Sequence, residues 1–241
     1  MINKELVKKR FSNSLRTYTE AAVVQKSMAK TLAELIPHKN YDSILEIGCG
    51  TGFVTEILVE TLKFRCYDTV DMVGGCEKFI KNICADINFI NADIENYLPD
   101  KKYDLVISNA ALQWLEDFES FLKLMRNFIK PDGIFAFTVF GRNNFRELNF
   151  CAGLRYYSIF ELKSILKNYK IVKIFEDEII LHFNSPKEAL LHIKNTGANS
   201  IRSCRWTKSD LEDFERDYQK VCKEDGIQLT YNPIYAVLAA V

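Results

Sequence analysis

The chain has 241 residues, 48% of them hydrophobic, and its 32 lysines and arginines balance 32 aspartates and glutamates. A formal charge of zero provides no whole-molecule field for a sequence-independent grip on nucleic acid, although local basic patches remain open. The start, Met1-Ile-Asn-Lys-Glu5, is charged, and no apolar run approaches the roughly 18–20 residues that cross a bilayer, so neither a leader nor a membrane span is expected.

Seven cysteines stand at 49, 66, 76, 84, 151, 204 and 222 without a C-x-x-C pair, and the three histidines are far apart. No metal site and no disulfide framework is expected; the cysteines read as small buried hydrophobes in a reducing compartment. The length suits one α/β domain with decorations, 1–241, and a monomeric cytoplasmic protein without nucleic-acid or membrane partner is the expectation.

In chain order, 3–35 is a charged amphipathic helical stretch, followed by a strand over 43–47, a glycine-rich turn and a helix over 53–62. A strand at 65–71, a helix at 75–83, a short buried strand at 87–90 and a strand at 104–108 continue a βαβ rhythm, which predicts a mostly parallel sheet. The apolar positions of 118–129 have helical spacing, and Lys130-Pro-Asp-Gly133 supplies turn residues to stop that helix before a strand at 134–140. Strands follow at 169–175 and 179–183, helices over 185–224, and a final strand over 227–241 that closes the sheet by hairpin with the 169–183 region. The segments outside the alternating core, 1–38 and 185–224, are the expected lid and cap over a site built on 41–183 and 226–241. Ligands of open α/β sheets bind beyond the carboxyl ends of the strands, and added helices there cover them.

The turn after the first strand reads Glu46-Ile-Gly-Cys-Gly-Thr-Gly52. Its glycines let backbone turn sharply and approach a ligand, and the following helix offers free N–H groups. A dinucleotide fingerprint, G-x-G-x-x-G, would need glycine where Phe53 stands. An acid two residues before G-x-G-x-G resembles the first motif of S-adenosylmethionine-dependent methyltransferases, which implies S-adenosylmethionine as cofactor and contacts from Gly48, Cys49 and Gly50. Asp71 follows Gly52 by 19 positions at a strand end, placed to accept both ribose hydroxyls, with Met72 next to it. Asp93 and Ile94 are placed for the adenine amino group and ring. Glu46 meets the methionine end or its waters, or holds the loop. After the fourth strand, Ser108-Asn-Ala-Ala-Leu-Gln-Trp114 lacks the N/D-P-P-Y/F motif of amino-group methyltransferases, which argues against nucleobase methylation. Asn109 and Ala110 would line the sulfonium, and Gln113 and Trp114 the acceptor pocket.

Over nearly its whole length the chain resembles the malonyl-[acyl-carrier protein] O-methyltransferases of biotin synthesis. The residues that carry this are Arg10-Phe-Ser-Asn-Ser-Leu-Arg-Thr-Tyr18 with Gln25, Asn109-Ala-Ala-Leu-Gln-Trp114, Phe137-Thr-Val-Phe-Gly141, Glu147-Leu148, Lys194-Asn-Thr-Gly-Ala198, Arg205 and Leu229-Thr-Tyr231. The segment between Leu148 and Tyr157 is short for the family, and Met72-Val-Gly-Gly75 departs from its usual serine/proline start. The resemblance implies a Rossmann-like class I methyltransferase fold, α/β with a mostly parallel seven-stranded sheet and helices on both faces. It also implies that Tyr18 and Gln25 fold over the cofactor from the lid, with Tyr18, Gln113 and Trp114 positioning the reactants.

The implied reaction methylates the free carboxylate of a malonyl thioester on acyl carrier protein, or on coenzyme A. With a reference pKa of about 4 the nucleophile is already ionised at pH 7, so no general base and no metal is needed. Arg142, Arg202 and Arg205 are candidates to orient the non-attacking oxygen, and Arg205 coincides with a family position. Carrier proteins are acidic, and the basic residues of 185–208 and 1–20 are the expected docking face. The alternatives are methylation of a small free acid such as aconitate, and a non-catalytic interaction module that retains the fold.

Overall fold

In the computed structural model the described residues are 2–37, 39–151, 154–198, 207–222 and 226–240. β1 (Tyr41–Ile47), β2 (Phe64–Asp71), β3 (Asn88–Asn91), β4 (Tyr103–Asn109) and β5 (Ile129–Phe140) are parallel neighbours in the order β3-β2-β1-β4-β5. β9 (Pro233–Ala239) enters antiparallel between β5 and β6 (Lys170–Glu176), completing seven strands. β1 and β4 are buried almost throughout, as strands covered on both faces must be.

Alternate residues feed two apolar layers. Ile44, Leu105, Ile107 and Ala136 face the layer that holds α2 (Val23–Glu34) and α3 (Phe53–Thr61). Leu45, Val106, Phe135 and Phe137 face the one that holds α5 (Phe118–Met125) and α6 (Ile159–Ile165). α1 (Lys4–Ala21) is capped by Asn3, whose Oδ1 accepts the Leu6 N–H at 2.9 Å. α4 (Glu77–Ile83) links β2 to β3.

The predicted elements recur with shifted ends, and two depart for a visible reason. The strand expected from 134 begins at Ile129 and runs through the turn residues. Between the pairs Tyr103↔Ile129 and Leu105↔Ile134, β4 advances two residues and β5 five, so Pro131, Asp132 and Gly133 lie in a bulge, with Asp132 at φ 59°. The final run is two strands, not one. β8 (Ile227–Tyr231) pairs with β7 (Ile179–Phe183) in a separate two-stranded sheet, and the chain breaks at Asn232 before rejoining the main sheet. Asn232 spends its side chain on backbone, donating to Asp177 O at 2.9 Å and accepting from Asn143 N–H at 3.2 Å, and Pro233 has no N–H to continue a ladder. α7 (Pro186–Asn195) and α8 (Lys208–Val221) pack beside this small sheet.

Of the described cysteines, Cys49, Cys76 and Cys222 are buried as expected, whereas Cys66 and Cys84 are partly exposed. Among the described residues no helix is long and apolar enough to cross a membrane.

Candidate active site

β1 leads to β2 on one side of the sheet while β4 lies on the other, so their carboxyl ends flank the crevice where strand order reverses. Gly48 leaves β1 at φ 71°, and a Cβ there would collide with Ala111 of the loop after β4, so only glycine lets the two loops meet. Gly50, at φ 54°, differs: a Cβ on it would meet no protein atom within 4 Å, so its backbone faces open space. The carboxylate of Asp71 ties this loop to the next, accepting Gly50 N–H at 2.9 Å on Oδ2 and Val73 N–H at 2.8 Å on Oδ1. Burial pushes its carboxyl above the ordinary range, opposed by those two hydrogen bonds and by the Cys76 thiol.

Around this bracket lies a cavity of about 120 Å³. Gly48, Gly50, Asp71, Met72, Asp93 and Ile94 line it, with Asn109 and Ala110 at the β4 end. Its roof is one stripe of α1, Val7, Phe11, Leu15 and Tyr18. From the sequence Tyr18 is expected here; Val7, Phe11 and Leu15 are not assigned to the site, and their helix-face spacing with it is the signal that places them. Lys4, on the same helix, reaches across to Asp93 (3.1 Å) and Glu95 (2.5 Å), so Asp93 meets an ammonium as well as the cavity. Buried Thr51 Oγ1 on the wall has no hydrogen-bond partner. Two left-handed glycines, a carboxylate with unused lone pairs, open space before Gly50 and an orphaned hydroxyl together fit a ribose-bearing ligand with polar ends.

A second cavity, of about 20 Å³, adjoins the first; Phe11, Tyr18, Ala110 and Trp114 line both. Gln25 and Gln113 line this smaller one only, each with a buried amide oxygen that has no partner. Phe11 meets Trp114 edge to face at 5.5 Å and Tyr18 stacks on Phe53 at 5.8 Å, which fixes the shared wall. Asn144, Tyr156 and Tyr231 complete the pocket; no periodic pattern announces them, because they come from the β5–α6 connection and β8.

Of the other predicted residues, some turn their side chains away from the cavities and some lie elsewhere. Asn109 turns its side chain away, donating to Gln25 O at 2.9 Å and accepting from Thr138 Oγ1 at 2.7 Å, so α2 is fastened to the sheet. Cys49 packs into the core. Arg142 lines neither cavity: it is exposed and ion-paired with Glu161 at 2.7 Å, because it follows β5 on the side of α6. Arg202 and Arg205 fall outside the described residues. Glu46 also lines neither cavity. Its buried carboxylate accepts Thr55 Oγ1 and Tyr67 Oη, each at 2.6 Å, which holds the loop by bracing β1 against α3 and β2.

Burial pushes the Glu46 carboxyl up to about 7, against the hydrogen bonds from Thr55 and Tyr67. An acid with a raised folded-state pKa stabilises the fold fully below its unfolded value, 4.5, and this is lost as pH rises towards 7. Glu46→Gln, whose oxygen still accepts both hydroxyls, is therefore expected to flatten the fall in melting temperature between pH 5 and 8 and to leave cofactor affinity within about twofold of wild type. Melts across that range and calorimetry check it; an unchanged slope, or a large loss of affinity, overturns this role for Glu46.

Residues 45–137 match the family model described as a methyltransferase domain. The malonyl-[acyl-carrier protein] O-methyltransferase of Chlorobium luteolum is 34% identical, the alignment covering 99% of this chain and 96% of that protein. Enzymes of the same name from Calditerrivibrio nitroreducens (35%; 92% and 91%) and Porphyromonas gingivalis (33%; 97% and 95%) align similarly. Among solved structures, YcgJ of Bacillus subtilis superposes with a TM-score of 0.62 at 12% identity, covering 88% of this chain and 97% of that one. The N-methyltransferase NodS of Bradyrhizobium japonicum, solved with S-adenosylhomocysteine, gives 0.54 at 13% (89% and 85%). At such identities these two likenesses speak for the fold alone.

Proposed function

The chain belongs to the malonyl-[acyl-carrier protein] O-methyltransferase family, and from that premise we propose how its residues carry out the family's reaction. The enzyme methylates the free carboxylate of a malonyl thioester with S-adenosylmethionine, which supplies a methyl group on a positively charged sulfur. The observation that carries the assignment of parts is the shared wall of the two cavities. The larger, with Gly48, Gly50 and Asp71, holds the cofactor; the smaller receives the carboxylate, and Tyr18, Ala110 and Trp114 are common to both.

Asp71 accepts the ribose hydroxyls with the lone pairs that Gly50 and Val73 leave free, and Ile94 packs on the adenine. Asp93 meets the adenine amino group beside Lys4. From the smaller cavity the unpartnered oxygens of Gln25 and Gln113 offer acceptors to the positively charged sulfur where it meets the junction. α1 and α2 act as the lid, closed by the Lys4 ion pairs, and the aromatic wall keeps water from the junction. No side chain has to remove a proton, since the carboxylate arrives ionised; alignment in a dry junction is the enzyme's contribution, an effect worth up to roughly 7–11 kcal/mol.

The carrier protein docks on α1 and α7. Thr17 Oγ1 donates to Asn195 O at 3.0 Å, which brings the two helices together. On α7 exposed Lys187, Leu191 and Lys194 stand at i, i+4 and i+7, and α1 adds exposed Lys8, Lys9 and Arg16, so the two helices together present cations and an apolar side chain that suit an acidic helical partner. α8 presents Glu212, Asp213 and Glu215 and is not part of this face. The monomeric, cytoplasmic enzyme meets neither nucleic acid nor membrane in this reading.

The test offers malonyl-carrier protein, malonyl-coenzyme A, malonate and aconitate side by side and follows methyl gain by mass spectrometry. Preference for the carrier-bound acid is expected, and transfer only to a free acid overturns the reading. Lys187→Glu with Lys194→Glu should raise KM for the carrier substrate about tenfold, steepest at low salt, and leave malonyl-coenzyme A turnover unchanged.

A further inference from the structure

We propose that the hydroxyl of Tyr156, held by Asn144 in the smaller cavity, is the donor that grips the non-attacking oxygen of the substrate carboxylate and selects a free acid. The proposal rests on the functional reading above and adds the residue that recognises the reacting group.

Asn144 is buried, and its amide orientation is fixed. Its Oδ1 accepts the Asn232 N–H at 3.3 Å, so its Nδ2 is the atom that faces Tyr156, donating to the phenol oxygen at 3.1 Å. Asn232 is itself locked across the β8–β9 break by Asn143 N–H and Asp177 O. With its oxygen already accepting, Tyr156 has its own proton left to give, and no acceptor takes it among the described residues. The ring lines the smaller cavity together with Tyr231, whose own hydroxyl is already engaged with His192 Nε2 at 2.8 Å. Burial pushes the Tyr156 phenol up to about 12, so it keeps its proton at neutral pH.

No lysine or arginine is among the described residues lining this cavity. A neutral donor suits the reaction. A guanidinium gripping both oxygens would draw charge from the nucleophile, whereas one phenolic hydrogen bond orients one oxygen and leaves the other charged. In the transfer the free oxygen forms the bond to the methyl carbon as the carbon–sulfur bond breaks, its electron pair staying on sulfur; no proton leaves Tyr156. The oxygen it holds is then an ester carbonyl, neutral and a weaker acceptor, so the same contact that binds the acid loosens on the product.

Tyr156→Phe in the full chain is expected to lower kcat/KM for malonyl-carrier protein by about 10- to 100-fold, the range for a hydrogen bond to a charged group. Affinity for S-adenosylhomocysteine and the melting temperature should stay near wild type. Wild type should bind malonyl-carrier protein more tightly than its methyl ester, and the variant should bind the two alike. Asn144→Asp provides the second arm: a carboxylate at 144 still accepts from Asn232 but takes the Tyr156 proton, so a loss comparable to that of Tyr156→Phe is expected with the ring retained. An active wild type with unchanged kcat/KM in Tyr156→Phe overturns this proposal alone. A wild type inactive on every malonyl thioester overturns the functional reading and this proposal together.

Discussion

Asp71→Ala is expected to lower cofactor affinity by more than about 10³-fold in calorimetric titration with S-adenosylmethionine or S-adenosylhomocysteine, while the protein still folds. Two effects combine. The Gly50 and Val73 N–H groups lose their acceptor, at roughly 1–3 kcal/mol each, so the glycine loop and the turn after β2 part from each other. The ribose then loses two charge-assisted hydrogen bonds, each worth about 1.5–3 kcal/mol. The fold survives because β2 remains paired on both sides, with β1 and β3. Asp71→Asn should fall between, since its amide oxygen replaces one acceptor and its NH₂ meets the other N–H. Because burial raises the Asp71 carboxyl, cofactor affinity should also weaken on acidification sooner than a solvated carboxylate would allow. An Asp71→Ala protein that binds as tightly as wild type would refute this account of the cavity.

That cavity was readable in advance because each of its parts is local. The glycine loop, Asp71 and Asp93 each sit at or just beyond the end of a strand whose apolar run announces it, and parallel βαβ order brings those ends to one edge. Glu46 belongs to the same motif, yet its direction depends on Tyr67 from the neighbouring strand, a contact that no local pattern contains. The strand ends failed where a side chain competes with the ladder: Asn232 cuts the last run in two, and a bulge carries β5 through residues that read as a stop. The smaller cavity was least legible. Tyr18, Trp114, Tyr156 and Tyr231 come from a helix, a 3₁₀ turn, a connection and a separate sheet, and only packing joins them. Of the three arginines named from the sequence, Arg142 is held against Glu161 instead, while Arg205, the family position, and Arg202 lie outside the described residues.

The acceptor side depends on one buried acid, and Glu147→Ala should destabilise the protein by about 2–4 kcal/mol, lowering the melting temperature by roughly 5–15 °C for a chain of this size. Glu147 is 2% exposed. Its carboxylate takes both donors of Thr230, the N–H at 2.9 Å and the hydroxyl at 2.5 Å, and Phe145 N–H adds a bond to Thr230 O at 2.7 Å. The segment after β5 is thereby strapped to β8, which pairs with β7, carries Tyr231 into the smaller cavity and supports α7. Alanine leaves two buried donors unsatisfied, whereas glutamine retains one acceptor and should cost about half as much. The damage should be one-sided. Cofactor affinity should change little, because Gly48, Gly50 and Asp71 stand on other loops, while KM for malonyl-carrier protein rises with the loosened β8. Equal losses on both sides would mean that the two cavities fold as one unit, and a melt within about 1 °C of wild type would remove Glu147 as the strap.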